Sequence, residues 1–339
     1  MPIKAESPAS VWRQAHAQSL RGRRGLIKTI HMWFAVAVLV FLEGVDDAWH
    51  VIAACLQLLI AAACYVQVSI LINDLADRGG DREAGKMRWI RSLRLGVARA
   101  VICAIALLGG LALVPGMEKA WPLAVYGGAL AAGFLYSIKP IRLKEHGIWG
   151  LLAYALSTAL AYALLPWVKL NGQWLPLVAV GAAVFFDKWV NLHFHQVIDF
   201  EDDQRSGTLT FAVTAGISMA RGSLRWMARL ASFSMAGVLV FLAMRQPVWG
   251  GFAAGLSAAA LLAAGITLRK ARSRQKVPSL LVKELPLHYL GLSWTVIRLV
   301  PLVLLAGLAL DEPVMLLVFL PLLLLVLLDS RFLIRYRYK

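Results

Sequence analysis

The sequence predicts an all-α fold: a polytopic membrane bundle of nine or ten transmembrane helices. Three observations carry that reading. Of 339 residues, 60% are hydrophobic and the mean hydropathy is +0.68, above the range of soluble domains. The apolar residues fall in runs close to the ~20 residues that cross ~30 Å of hydrocarbon. The charges, 35 Lys+Arg against 19 Asp+Glu for a net +16, are confined to short gaps between those runs. The bias of cations toward cytoplasmic loops explains that distribution better than a nucleic-acid partner, and none is expected.

In chain order, residues 1–26 are polar and basic, with Arg13, Arg21, Arg23 and Arg24. Ser7-Pro8 suits a helix start, and Val11, Trp12 and Leu20 give an apolar side. This reads as an amphipathic segment on the cytoplasmic surface. Ala15-His16-Ala17 precedes the first apolar run instead of following it, so no cleavable signal peptide is expected. Residues 27–339 read as one membrane domain. Its apolar runs fall at approximately 27–44, 50–72, 95–115, 120–137, 148–168, 174–194, 226–244, 248–268, 288–310 and 313–331. Gaps after odd-numbered runs are short and poor in cations. Gaps after even-numbered runs are basic, as is the tail with Arg331, Arg335, Arg337 and Lys339. Both termini are therefore assigned to the cytoplasm, as in a bacterial inner membrane protein. The run at 313–331 is read either as an appendage returning the tail to the cytoplasm or as one bent element with the ninth. Cys55, Cys64 and Cys103 lie inside apolar runs and read as small buried hydrophobes, with no disulfide framework.

Two acidic clusters end the second and sixth runs. In the first, Asn73, Asp77 and Asp81 are spaced i, i+4, i+8, and Asp74 joins Asp77 and Asp81 at i, i+3, i+7. On a helix either set shares a face. In the second, Asp199 and Asp203 are four apart, with Glu201 and Asp202 beside them. Carboxylates stacked this closely repel one another, and a divalent cation supplies a reason to collect them. Oxygen-only ligands suit Mg²⁺, which takes one or two carboxylates, keeps waters and binds substrate phosphates.

Cations follow the clusters. Arg78, Arg82, Lys86, Arg88 and Arg91 come after the first and Arg205 after the second; Lys139, Arg142 and Lys144 lie in the loop between. Arg supplies forked hydrogen bonds to phosphate and Lys a point charge. Charge bias alone accounts for Arg91, Arg94, Arg269, Arg272 and Arg274. In the sixth run Asp187, Asn191, His195 and Asp199 recur every four residues, a polar stripe that is costly unless it faces a cavity or a partner. Asn191 and His195 read as cavity residues within reach of an acceptor. Asp187 is either such a residue or an interhelical partner of Lys188 or Arg298. Arg298 costs ~3 kcal/mol facing lipid, so it is expected to point inward, toward a carboxylate or a substrate group. His31 reads as a packing residue.

The stretch Tyr136-Ser137-Ile138-Lys139-Pro140-Ile141-Arg142-Leu143-Lys144-Glu145-His146-Gly147 resembles the Tyr-Ser-x-x-Pro-x-Arg-x-Lys-x-x-Gly loop of the UbiA superfamily of intramembrane prenyltransferases, the 4-hydroxybenzoate polyprenyltransferase type. Asn73 through Asp81 matches that superfamily's Asn-Asp-x-x-Asp-x-x-x-Asp motif at every defined position. Asp199 and Asp203, with Gly207 and Thr210 downstream, resemble its second Asp-x-x-x-Asp motif. The resemblance covers approximately residues 20–310. It departs where Gly85-Lys86-Met87-Arg88-Trp89-Ile90 replaces the frequent Arg-Pro, and in carrying one run beyond the usual nine.

The resemblance implies a helical bundle around a central cavity that opens laterally to lipid, and Mg²⁺-dependent transfer of an isoprenoid from its diphosphate to an acceptor, here an aromatic or otherwise lipophilic one. Carried over by position, Asn73, Asp77, Asp81, Asp199 and Asp203 hold metal, Arg78, Lys86, Lys139, Arg142 and Lys144 face the diphosphate, and Tyr136 lines the cavity near the breaking bond. The base that takes the acceptor's proton is a motif carboxylate, His195 or released diphosphate. Two neighbouring activities compete, terpene cyclisation and phosphoribosyl transfer to a lipid phosphate. A cation transporter ranks lower, because it needs carboxylates near the midplane and these end their spans.

Overall fold

The structure, a computed structural model, describes residues 25, 27–44, 46–77, 90, 93–273 and 284–336. The expected amphipathic amino-terminal segment lies outside them, as do Arg78, Asp81 and Lys86. All ten apolar runs form helices. In order these are α1 (Ile30–Glu43), α2 (Ala48–Ala76), α3 (Leu95–Leu113), α4 (Trp121–Ser137), α5 (Ile148–Lys169) and α6 (Trp174–Ile198). Two short helices follow, α7 (Phe200–Ser206) and α8 (Phe211–Ala215), then α9 (Ile217–Arg245), α10 (Pro247–Ser273), α11 (Leu287–Asp311) and α12 (Leu316–Tyr336). The described residues hold no strand. By length and composition α2, α3, α5, α6, α9 and α11 suffice to cross a membrane; α1, α4 and the apolar stretches Pro247–Ala263 and Pro313–Asp329 are shorter.

Helix α1 is the central post. Ile30 through Phe41 are buried without interruption, as expected of a helix that is apolar all round and enclosed by others. It packs on α11, α5 and α6. Helix α3 is the opposite case. Leu107, Leu108 and Leu111 are more than half exposed, which only hydrocarbon makes acceptable over a whole face. Cys55 and Cys64 are buried as expected, whereas Cys103 is exposed on α3, so it contributes to the lipid-facing surface and not to the core.

Two helices change pitch where the sequence requires it. Pro166 and Pro301 have no N–H for the carbonyls of Tyr162 and Ile297, and their rings press on those same groups. The chain responds with a wider π turn immediately before each, at Leu160–Leu164 in α5 and Thr295–Leu299 in α11. At the start of α2 the Asp47 carboxylate accepts from the Trp49 and His50 amides at 2.9 and 3.1 Å, an ordinary N-cap.

Polar groups inside the bundle find partners on other helices. Asp187 of α6 accepts from Tyr289 (2.9 Å) and Ser293 (2.7 Å) of α11 and lies 2.8 Å from His31 Nε2 of α1. Asp187 is thus an interhelical partner, though of none of the cations expected from sequence. Arg298 turns inward as expected, and its carboxylate is Asp329 of α12. Helices α11 and α12 are separated by Glu312 and a 3₁₀ turn at Pro313–Met315, so they are two elements. Val318, Leu322, Leu325 and Val326 of α12 are buried, and α12 touches α1 and α2 as well as α11. It is part of the bundle.

Candidate active site

The first acidic cluster unwinds α2. Its helical ladder ends with the Asp77 amide donating to Asn73 O at 3.0 Å, which leaves both side chains on one face at the helix end. The loop after α4 then brings cations to that face. It begins with a cis Lys139–Pro140 bond, and Arg142 adopts a left-handed conformation (φ 39°) that non-glycine residues rarely take outside functional or tightly determined sites. A 3₁₀ turn at Leu143–Glu145 follows.

From this turn Lys144 Nζ donates to Asn73 Oδ1 at 3.0 Å and to the Asp77 carboxylate oxygens at 2.6 and 2.8 Å. Arg142 donates to Asp77 Oδ1 at 3.0 Å and is held from behind by Glu145 at 2.7 Å. Burial pushes the Lys144 ammonium below the ordinary lysine range, and the Asp77 carboxylate opposes that shift.

Two glycines seat the turn. A Cβ on Gly150 would lie 2.9 Å from both Leu143 O and Lys144 Cα, and one on Gly147, where φ is +56°, would lie 3.1 Å from Thr214 Oγ1. Gly147 also makes the single isolated bridge among the described residues, to Thr210.

That bridge joins the loop to the second acidic cluster. The Asp203 amide donates to Asp199 O at 2.8 Å, and the Thr208 amide to Asp203 O at 2.9 Å. Gly207 closes α7 at φ 69°, a left-handed stop that suits glycine. The Asp77 and Asp203 carboxylates both lie within electrostatic reach of Tyr136. The two clusters and the loop are therefore neighbours on one side of the bundle.

Beneath them is a cavity of about 230 Å³ that reaches from Asn73 past Tyr136 to Tyr65, Tyr154, Tyr162 and Lys188. Its walls are fixed by their own contacts. Tyr65 Oη and Ser157 Oγ are 2.7 Å apart, and Ser157 donates to Ala129 O at 2.8 Å. Tyr65 meets Tyr162 edge-on at 5.7 Å, and Tyr136 packs against Tyr154 at 6.1 Å.

Not every expected site residue joins this group. Asp74 is buried, one position off the face shared by Asn73 and Asp77. Lys139 is exposed. Asn191, His195 and Asp199 are exposed along α6, and neither Asn191 nor His195 lines the cavity. His195 is within electrostatic reach of Asp199 and of Lys28, and Lys28 lines the cavity, so the α6 stripe approaches the cavity from the second cluster.

Arg205, expected at the diphosphate, is drawn elsewhere. Its side chain is 73% exposed and pairs with Asp202 (2.9 Å) and Glu201 (3.9 Å) of its own short helix. Neighbours at i, i+3 and i, i+4 capture such a cation readily.

Sequence reasoning named Tyr136, which lines the cavity, but missed Tyr65, Tyr154, Tyr162 and Lys188. Tyr65, Ser69 and Asn73 all line it, and their i, i+4, i+8 spacing extends the motif face upward into the membrane; that stripe was available to find them. Among the described residues no three acidic, His or Cys side chains form a ready metal cluster.

The profile of the UbiA prenyltransferase family matches residues 31–285. The chain belongs to that family and is a UbiA-type prenyltransferase, an integral membrane enzyme. Similar solved structures share its fold. A UbiA homolog from Archaeoglobus fulgidus bound to GPP and Mg²⁺ is 20% identical with a TM-score of 0.58, over 86% of this chain and 99% of that one. The apo UbiA homolog from Aeropyrum pernix K1 is 15% identical with a TM-score of 0.55, over 84% and 98%. A digeranylgeranylglyceryl phosphate synthase structure is 16% identical with a TM-score of 0.51, over 91% and 99%. No curated protein sequence matches this one.

Proposed function

We propose that this protein transfers an isoprenoid group from a prenyl diphosphate to an aromatic or lipophilic acceptor, with Mg²⁺ as cofactor, at the cytoplasmic side of a bacterial inner membrane. One observation carries the reading: Asn73 and Asp77 clasp the Lys144 ammonium at the mouth of an aromatic cavity. Their oxygens already converge on a cation, and a hard oxygen set of that kind suits Mg²⁺, with waters and phosphate completing its shell. Asn73 and Asp77, with Asp81 of the same motif, would hold metal on one side, and Asp199 and Asp203 on the other. When bound, Mg²⁺ supplies Lewis-acid neutralisation of the leaving diphosphate.

The chain's own groups do the rest. Lys144 and Arg142 would direct their donors to the diphosphate, with Lys139 and, from the sequence motif, Arg78 and Lys86 as further phosphate ligands. The allylic C–O bond breaks and its electron pair leaves with the diphosphate. The ring faces of Tyr136 and Tyr154 stabilise the allyl cation, by ~0.5–2 kcal/mol each, and the apolar walls keep water from it. A nucleophilic atom of the acceptor bonds to the allylic carbon and gives up its proton to released diphosphate, a motif carboxylate or His195. Residues 27–339 act as one transferase domain, with 1–26 as a surface segment. The observation parallels the GPP and Mg²⁺ bound by the archaeal homolog.

The test is turnover of geranyl diphosphate by the purified full chain with native lipid extract, products read by mass spectrometry, with Mg²⁺ or with EDTA. Mg²⁺-dependent appearance of a product heavier than its acceptor by one prenyl group supports the reading. A cyclised hydrocarbon formed without acceptor, or flux of ions in liposomes without any diphosphate, overturns it.

A further inference from the structure

We propose that the outer face of α9, at the membrane edge on the side of the acidic motifs, binds an anionic glycerophospholipid. Arg225 and Arg229 hold its phosphate, and its acyl chains lie along Leu230 and Phe233. The site is separate from the cavity and does not depend on the transferase reading.

No acidic residue occurs between Asp203 and Glu284. Within that stretch Arg221, Arg225 and Arg229 recur every four residues and climb about 12 Å of α9. The bias of cations toward loops accounts for arginines between spans; it does not by itself place three on successive turns of one helix. All three are exposed, and their surroundings differ. Arg221 is neutralised by Glu284 at 3.1 Å. Arg225 has neither hydrogen bond nor ion pair among the described residues. The Arg229 guanidinium lies over the exposed ring of Trp226, 4.9 Å from its centroid. Stacking on a ring face uses none of its N–H donors, so the fork stays open to a phosphate. His288 of α11, also exposed, is within electrostatic reach of Arg229, and α9 packs on the start of α11. Cations therefore gather where the two helices meet.

The membrane decides what meets them. Helix α9 has 29 residues, about 44 Å of length against ~30 Å of hydrocarbon. At its far end Val240 and Met244 are exposed, and apolar side chains on an outer face belong in hydrocarbon. The excess length thus falls at the arginine end. Counting ~20 residues back from Met244 brings the hydrocarbon edge to the turn that holds Arg225. The anions abundant at that depth are lipid phosphates. Leu230 and Phe233, exposed one and two turns deeper, continue the face into the acyl layer, where a soluble anion gains nothing. A zwitterionic headgroup fits less well. It brings its own cation among these, and the ring that could receive that cation, Trp226, is already covered by Arg229. A phosphate forked between Arg225 and Arg229 by an anionic lipid uses both the charges and the apolar strip.

The experiment is native mass spectrometry of the purified full chain in detergent, with phosphatidylglycerol or phosphatidylcholine of the same chain length at equal concentration. The variants are Arg225→Gln with Arg229→Gln, Lys144→Ala, and Arg245→Gln, an exposed arginine resting on Phe241 at the opposite end of α9. The wild type is expected to retain phosphatidylglycerol at least about tenfold more than phosphatidylcholine, the worth of one charge-assisted hydrogen bond. The paired arginine variant is expected to lose that preference, and Arg245→Gln and Lys144→Ala to keep it. No preference in the wild type, or one that survives in the paired variant, overturns the site. So does an equal loss in Arg245→Gln, which would make the effect one of charge at either membrane face. A loss in Lys144→Ala would place the lipid at the acidic motifs instead. Displacement of phosphatidylglycerol by an equal concentration of inorganic phosphate also overturns the proposal, because the acyl chains would then add nothing.

Discussion

Lys144 and Asp77 are in contact, Nζ 2.6 Å from Oδ1, although they belong to different helical hairpins. The lysine donates to both Asn73 and Asp77, the oxygens that would hold a divalent cation on the proposed reading, and on that reading Lys144 would serve the diphosphate. Lys144→Ala is therefore expected to raise KM for the prenyl diphosphate about tenfold or more, the loss of a hydrogen bond between charged groups, and to lower kcat less. Steady-state kinetics with geranyl diphosphate check this. Unchanged KM and kcat remove Lys144 from the site.

Asp77→Ala removes the oxygen donors that Lys144, Arg142 and the metal share. Turnover is expected to fall by at least about a hundredfold, because the leaving group loses several kcal/mol of charge stabilisation. Expression is expected to change little, and any fall in melting temperature to be small beside the loss of turnover, although the Asp77 side chain is 23% exposed and its removal leaves Lys144 and Arg142 without that partner. Asp199→Ala is expected to behave likewise. Near-normal activity of either variant argues against the two clusters acting together.

Gly150→Ala is a sharper probe of the loop. The added methyl would meet Leu143 O and Lys144 Cα at 2.9 Å, so the backbone that carries Lys144 must move. Overpacking of this kind costs about 1–3 kcal/mol. The displacement is expected to raise KM for the diphosphate, while Gly128→Ala, whose new methyl would meet only Leu160 at 3.8 Å, leaves kinetics alone. Equal kinetics for the two variants would show that the seat of the 3₁₀ turn has no bearing on the site.

Much of this was legible in sequence for a physical reason. Apolar runs of membrane length have one stable outcome, a helix, so all ten appear as helices. The motif spacing of four puts Asn73 and Asp77 on one face, and Arg142 and Lys144 reach that face. What sequence could not show was pairing between distant helices. For Asp187 the sequence offers Lys188 or Arg298, yet Lys188 as a neighbour along the helix points about 100° away, Arg298 pairs with Asp329, and the partners of Asp187 are His31, Tyr289 and Ser293. Arg205 illustrates the converse: acids at i−3 and i−4 captured a cation that the motif pattern assigned to substrate. Lys188 stayed hidden because a single lysine in an apolar run carries no periodic signal.

The Arg298–Asp329 pair gives α12 a structural role that its position past the family match, which ends at residue 285, does not suggest. Both side chains are largely buried, 18% and 13% exposed. Removing one partner of a buried pair strands the other charge and costs about 3–5 kcal/mol, whereas replacing both by apolar residues is often neutral. Asp329→Ala is therefore expected to lower the melting temperature in detergent by several degrees, and Arg298→Met with Asp329→Leu to restore most of it. The two single variants are expected to be strongly non-additive in a double-mutant cycle. Additive losses would mean that the two side chains stabilise the bundle independently, and that α12 is attached through its apolar contacts with α1 and α2 alone.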